Sequence, residues 1–178
     1  KNFLIATGSK TFNPPIPGTD LPGVLDSDEL LEIEELPPRL FVSGASIVGL
    51  EFASVFLELG SEVTVSGRTF LKREDREIQK RAQSYLRRQG MDFHLGGRMN
   101  SIEETDEGLK VTVDGKKGPV EVIVDKVLLS AGRVPNMSCN LDAAGVEYTK
   151  DGIIVNEILQ TNQPHIYAAG DVIGGDML

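Results

Sequence analysis

The stretch Phe41-Val42-Ser43-Gly44-Ala45-Ser46-Ile47-Val48-Gly49-Leu50-Glu51 sets a glycine turn between an apolar run and an amphipathic one. It constrains the fold more than any other part of the chain. The pattern predicts a strand over Leu40 to Ser43 and a helix over Ile47 to Leu59. Gly60 then stops the helix, and Val63-Thr64-Val65 forms the next strand. Val48, Phe52, Val55, Phe56 and Leu59 recur at helical spacing and are the expected buried face. A strand–turn–helix–strand unit is the context in which a glycine fingerprint seats a dinucleotide pyrophosphate. The first glycine makes the turn, the second admits the phosphates, and the third lets helix and strand pack closely. Gly44 and Gly49 meet the first and third demands, and Ser46 stands at the second. Serine is small and its hydroxyl can donate to phosphate, which predicts an altered seat. The alternative is a decayed fingerprint that only packs.

The surrounding chain extends this α/β reading. Phe3 to Ala6 reads as a buried strand, and Asn13 to Gly18, with three prolines, as an extended loop. Asp26-Ser27-Asp28-Glu29 is a helix start, with Leu30, Leu31 and Ile33 as a short apolar face ahead of Pro37-Pro38. A further helix starts at Asp75, buries Ile78, Ala82, Tyr85 and Leu86, and closes at Gly90, after which Met91 to Leu95 is a strand. Three alternating segments follow, Ile102-Glu103, Leu109 to Val113 and Val120 to Val124, separated by turns at 106–108 and 114–118. They predict an antiparallel meander. Val127 to Ser130 is an unbroken apolar run suited to a buried parallel strand, and His165 to Ala169 is one more strand.

Composition narrows the class. With 178 residues and 40% hydrophobic content, the chain has enough core for one substantial domain, or for one domain plus fragments of another. It begins close to a strand, as a piece of something longer would. A net charge of -9 and a pI near 4.7 argue against nucleic acid or an anionic membrane as a partner of the whole surface. No apolar run approaches the roughly 18 residues of a membrane helix, and no signal-peptide layout opens the chain, so a cytoplasmic setting is the expectation. The single cysteine, Cys139, allows no internal disulfide, and no Cys/His cluster suggests a metal site. Charge is unevenly placed. Residues 20–36 hold seven acids and no Lys or Arg, whereas Ser66 to Gly90 holds eight bases against three acids.

Four landmarks now stand in order: Ile5-Ala6-Thr7-Gly8-Ser9, the fingerprint running into Gly49-Leu50-Glu51, Ala131-Gly132-Arg133-Val134-Pro135-Asn136, and Tyr167-Ala168-Ala169-Gly170-Asp171-Val172. Together they resemble the FAD-dependent pyridine nucleotide–disulfide oxidoreductases, of the dihydrolipoamide dehydrogenase and mercuric reductase kind, over nearly the whole chain. The tail from Gly174 to Leu178 is similar to the former, and Gly67-Arg68 with Arg73-Glu74-Asp75 to the latter. The resemblance implies a Rossmann-like NAD(P)-binding domain over 39–156, with parallel sheet and meander. Residues 1–38 and 157–178 would be fragments of the FAD-binding domain. It implies partners in the remainder of the same polypeptide and a homodimer at full length. The family's redox cysteine pair and catalytic His and Glu have no counterpart here. The isolated chain is therefore expected to be colourless and inactive, with no catalytic residue of its own. The implied activity is hydride transfer between nicotinamide and FAD, coupled to a disulfide or dithiol of which dihydrolipoamide is the leading case. Alternatives are a mercuric or other disulfide reductase, or a nucleotide-binding module of a flavoprotein without disulfide chemistry.

The expected NAD(P) contacts are Gly44, Ala45, Ser46, Ile47, Val48, Gly49, Glu51, Gly67, Arg68, Arg73, Ala131, Gly132 and Arg133. Ile47 takes a position where relatives carry a residue over the flavin, or it is core. Glu51 follows on the first turns of the helix, where the dipole favours an anion; the resemblance instead places it beside the nicotinamide, orienting the carboxamide. Cofactor choice rests on the end of the second strand, where an NAD enzyme places an acid on the ribose 2′-hydroxyl. Here Val65 leads into Ser66-Gly67-Arg68, with no acid and a guanidinium suited to a 2′-phosphate, and Lys72 and Arg73 lie nearby. NADP(H) is expected ahead of NAD(H); the alternative is a solvated Arg68 and NAD bound with reduced selectivity. Thr7, Gly8, Gly170 and Asp171 are the implied FAD contacts, at full length only.

Overall fold

The computed structural model describes residues 1–115 and 118–175. The tip of the expected turn at Lys116-Lys117 and the tail at Asp176-Met177-Leu178 lie outside the described residues. In chain order the elements begin β1 (Phe3–Ile5), β2 (Ser9–Thr11), β3 (Val24–Leu25), α1 (Ser27–Leu31), β4 (Arg39–Ser43), α2 (Ile47–Leu59) and β5 (Glu62–Gly67). They continue with α3 (Arg76–Arg88), β6 (Asp92–Leu95), β7 (Met99–Thr105), β8 (Gly108–Gly115), β9 (Gly118–Val124) and β10 (Lys126–Leu129). Last come β11 (Arg133–Pro135), β12 (Tyr148–Thr149), β13 (Gly152–Ile153), β14 (Ile166–Ala168) and a 3-10 turn at Gly170–Ile173. The chain forms two compact units, Asn13–Gly132 and the discontinuous Lys1–Phe12 with Arg133–Leu178.

The unit 13–132 is built on a five-stranded sheet ordered β3-β10-β4-β5-β6, every pair parallel. Alternation along the strands sends side chains to opposite faces. Leu40, Val42, Val63, Val65 and Leu128 enter one core with Leu50, Ala53 and Phe56 of α2 and Leu30 of α1. Phe41, Val127 and Leu129 enter a second core with Ile102, Leu109, Val111, Val113 and Val124 of the meander. The meander β7-β8-β9 is antiparallel throughout and takes the place of a crossover helix between β6 and β10. The proline loop runs along it: Ile102 N donates to Pro17 O at 2.9 Å.

The helices form where the sequence predicts, but they bury other faces. Asp26 caps α1 with a complete capping box, accepting from Asp28 and Glu29 N while Glu29 returns a bond to Asp26 N. In α2 the buried residues are Gly49, Leu50, Ala53 and Phe56, whereas Val55 is 54% and Leu59 61% exposed. Small residues win the inner face because α2 must lie close on β4 and β5, and Gly49 and Ala53 let it. Val55 and Leu59 line an open groove instead, with Leu31, Leu36 and Phe52. Likewise α3 buries none of its residues fully, and Ile78 and Tyr85 are 52% and 56% exposed. Only Ala82 and Leu86 of its expected face pack against the core.

The other unit carries its own core of Leu141, Val146, Ile153, Ile166, Ala168 and Val172. Here β1 pairs with β14 in parallel, β2 with β11 and β12 with β13 antiparallel. Phe3 and Leu4 are exposed rather than buried, because β1 belongs to a sheet of only two strands. The unit boundaries differ from the expected 38/39 and 156/157. β3 joins the parallel sheet because Val24 and Leu25 pair with Val127 and Leu128, and α1 packs on that sheet through Leu30. Residues 133–156 join the other unit because Met137, Leu141, Val146, Ile153 and Val155 feed its core.

Candidate functional site

The carboxyl ends of β4, β5, β6 and β10 lie at one edge of the parallel sheet. Reading β6-β5-β4-β10, successive connections leave β4 in opposite directions, which makes the gap between β4 and β10 the switch point where open α/β sheets receive ligands. Gly44 sits in that gap with φ +136°, and its amide donates to Ser66 O at 2.8 Å. A Cβ there would lie 2.1 Å from Ser130 O, so only glycine lets the chain leave β4 beside β10. Gly49 has the matching role one turn into α2, where a Cβ would meet Gly44 O at 2.1 Å.

Ser46 is the N-cap of α2, at φ -87° and ψ 176°. That extended backbone suits any residue, so serine brings no strain at this glycine position. Its Oγ accepts weakly from Gly49 N at 3.5 Å and lies 3.4 Å from Ser130 Oγ. The helical ladder starts with Leu50 N donating to Ser46 O, so the amides of Ile47 and Val48 precede it and face outward along the axis. Exposed hydroxyl, outward amides and dipole together form an anion cradle that fits a pyrophosphate. Ala45 is buried, Ile47 is exposed, and Val48 is half-buried. Glu51 is exposed and lies on the second turn of α2, past the first turn where the dipole is felt, so the dipole does not account for it.

The loop after β5 is tied to the same turn. Ala45 O accepts from Leu71 N at 2.9 Å, and the Phe70 ring is buried edge-on against Phe93 with centroids 5.7 Å apart. Gly67 is close-packed, since a Cβ would stand 3.0 Å from Ala45 N and Cβ. Ser66 is buried and Arg68, Lys72 and Arg73 are exposed, so the end of β5 presents cations and no carboxylate. Ala131 and Gly132 are exposed at the chain's exit from this unit.

Arg133 stands in the other unit, with Thr7, Gly8, Gly170 and Asp171. Its Nε donates to Ser9 Oγ at 2.7 Å and an Nη to Ser9 O at 3.1 Å, while Ser9 Oγ donates to Asp171 Oδ2 at 2.5 Å. Thr7 Oγ1 donates to Asn136 O, Asn136 Nδ2 to Thr7 O, and Asn136 N to Gly8 O. Within this unit, residues 7–9, Arg133, Asn136 and Asp171 are thus joined in one hydrogen-bonded network.

Sequence reasoning missed two participants, Ser130 and Ser9, and an ion pair of Arg39 at the opposite end of the sheet. Ser130 ends an apolar run with no local signal, Ser9 lies between glycine and lysine, and Arg39 reads as an ordinary strand start. Arg39 and Asp125 form a bidentate pair, with Nε to Oδ2 at 3.0 Å and Nη to Oδ1 at 2.7 Å, at the amino edge of β4. The Arg39 hydrogen bond outweighs burial and holds the Asp125 carboxyl below its ordinary pKa, and the same pair raises that of the guanidinium. Among the described residues no cluster of His, Cys, Asp and Glu suits a metal ion, and no helix is long and apolar enough to cross a membrane.

Comparison with known proteins gives a consistent result. Residues 1–178 match the sequence profile of the family described as pyridine nucleotide-disulphide oxidoreductase. The chain is 41% identical to the mitochondrial dihydrolipoyl dehydrogenase of Pisum sativum, covering 100% of this chain and 37% of that protein. It is 40% identical to the mercuric reductase of Lysinibacillus sphaericus, covering 98% of this chain and 33% of that one. The structure of the HOCl-induced flavoprotein disulfide reductase RclA from Escherichia coli superposes with a TM-score of 0.89 at 37% identity, over 99% of this chain and 41% of that one. The chain thus spans between a third and about two fifths of the length of these relatives.

Proposed function

The chain belongs to the pyridine nucleotide-disulphide oxidoreductase family, a group of FAD-dependent enzymes that use NAD(P), and from that premise we propose that its unit 13–132 is the NAD(P)H seat of such an enzyme. The carrying observation is the Gly44 turn at the β4–β10 switch point, opening onto the capped end of α2. In this reading the unit 1–12 with 133–175 belongs to the flavin side. Bound nicotinamide and FAD would supply hydride transfer, and the chain's residues bind and orient. The outward amides of Ile47 and Val48, with the Ser46 hydroxyl, hold the pyrophosphate. Glu51 lies exposed on the same helix and orients the nicotinamide carboxamide. Ala131 and Gly132 border the site. Redox exchange with a disulfide or dithiol belongs to the whole protein. Identities of 41% and 40% to a dihydrolipoyl dehydrogenase and a mercuric reductase favour neither substrate over the other.

For the cofactor we propose NADP(H) ahead of NAD(H). Gly67 packs against Ala45 where a longer side chain would crowd the turn, and the first exposed side chain after β5 is Arg68. A guanidinium there recognises a 2′-phosphate that a ribose hydroxyl cannot imitate. The test is a titration of the 178-residue chain with NADPH and NADH, followed by nicotinamide fluorescence. NADPH is expected to bind more tightly, and Arg68→Ala to weaken NADPH on the order of tenfold while leaving NADH unchanged. Equal wild-type affinities would overturn the preference, and no binding of either would overturn the seat.

A further inference from the structure

The turn after β5 is anchored in three places. Glu74 N donates to Leu71 O at 2.9 Å, which closes a four-residue turn with Lys72 and Arg73 at its two central positions. Leu71 N donates to Ala45 O at 2.9 Å, so the turn is tied to the glycine fingerprint. Gln79, on the first turn of α3, reaches back over the helix start, its Nε2 donating to Leu71 O at 3.0 Å and to Glu74 O at 2.9 Å. A carboxamide nitrogen carries two donors and a carbonyl can only accept, so the orientation of the amide is fixed and both protons go to the ends of one turn. Leu71 stands at φ +43°, a conformation that a leucine keeps only where its surroundings impose it. Phe70, just ahead, is buried edge-on against Phe93, whose ring lies 5.5 Å from the Arg87 guanidinium. The backbone beneath Lys72 and Arg73 is thus set at both ends, while their side chains are exposed.

We propose that Gln79 is a positioning residue for cofactor discrimination: by clamping the 71–74 turn it holds Lys72 and Arg73, with Arg68, as a fixed arm for the 2′-phosphate of NADP(H). This rests on the nucleotide-seat reading and the cofactor preference given above. Cations on a loose loop pay an ordering cost when they engage a phosphate, and a backbone set in advance removes part of it. NADPH and NADH share their pyrophosphate and differ by the 2′-phosphate alone. Gln79 acts through the backbone of the turn, so its effect falls on the ratio of the two affinities.

The test measures dissociation constants of the 178-residue chain for NADPH and NADH by nicotinamide fluorescence, with the unfolding midpoint of each variant. Gln79→Met keeps the length and helix preference of the side chain and removes both donors. It is expected to weaken NADPH about tenfold, as loss of two neutral hydrogen bonds does, and to leave NADH unchanged. Added to Lys72→Ala/Arg73→Ala, which lowers the selectivity by itself, Gln79→Met changes neither constant further. A ratio that Gln79→Met leaves unchanged overturns the positioning role and leaves the NADP(H) reading standing. Equal losses for the two cofactors, with a fall in the midpoint, mark Gln79 as merely structural and also overturn the role. A further drop in the ratio for the triple variant overturns it too, since Gln79 would then act other than through the two cations. Equal affinities in the wild type overturn the NADP(H) preference itself, and the proposal with it.

Discussion

Two glycines and one serine carry most of what the fingerprint does. Gly44 is irreplaceable on steric grounds, because its φ of +136° and the 2.1 Å approach of a would-be Cβ to Ser130 O act together. Gly44→Ala is expected to cost about 1–3 kcal/mol in chemical denaturation, as an overpacked core site does, and to abolish nucleotide binding. Ser46 is the contrasting case, since its backbone is extended and its side chain is exposed. Ser46→Gly should therefore change stability by only a few tenths of a kcal/mol, and a larger loss would show the cap to be stronger than its 3.5 Å bond implies. The Arg39–Asp125 pair predicts a pH dependence. The folded-state pKa of Asp125 is depressed, so its contribution is present above the carboxyl's unfolded pKa of about 4 and is lost as pH falls through the folded value. Asp125→Asn is expected to lower the unfolding midpoint at pH 7 and to flatten its acid dependence below pH 4, which paired denaturation series at pH 7 and pH 3 would read.

At the scale of elements, patterning located the helices and the tertiary structure chose their faces. Three and four residue spacing put Val55 and Leu59 inside, yet the sheet accepts α2 through Gly49, Leu50, Ala53 and Phe56. Leu59→Gln in the 178-residue chain should thus change stability by less than about 0.5 kcal/mol, whereas Phe41→Ala should cost about 3–5 kcal/mol. Phe41 is fully buried on β4 between parallel sheet and meander, and its removal opens the second core. A comparable loss at Leu59 would restore the inward face that periodicity suggests. The meander was legible because alternation and turn residues agree, while β3 and β12, of two residues each, are too short to leave a periodic signal.

For the whole molecule, each compact unit owns its core. All residues of the two sheet cores lie within 13–132, and those of the third within 1–12 and 133–175. Limited proteolysis is therefore expected to release a resistant fragment close to 13–132, identified by mass, and early cleavage inside the parallel sheet would contradict that division. The sequence by itself determined the α/β class, the order of the strand–helix–strand unit, the antiparallel insertion and the family, because each is written in contacts or spacings a few residues long. Only the tertiary structure decided which face of α2 is buried, that β3 completes the sheet, and that Arg133 is hydrogen-bonded to Ser9. Those outcomes depend on partners such as Ser9 and Arg133, 124 positions apart, or Ser9 and Asp171, 162 apart, and no local pattern encodes a contact made at that separation.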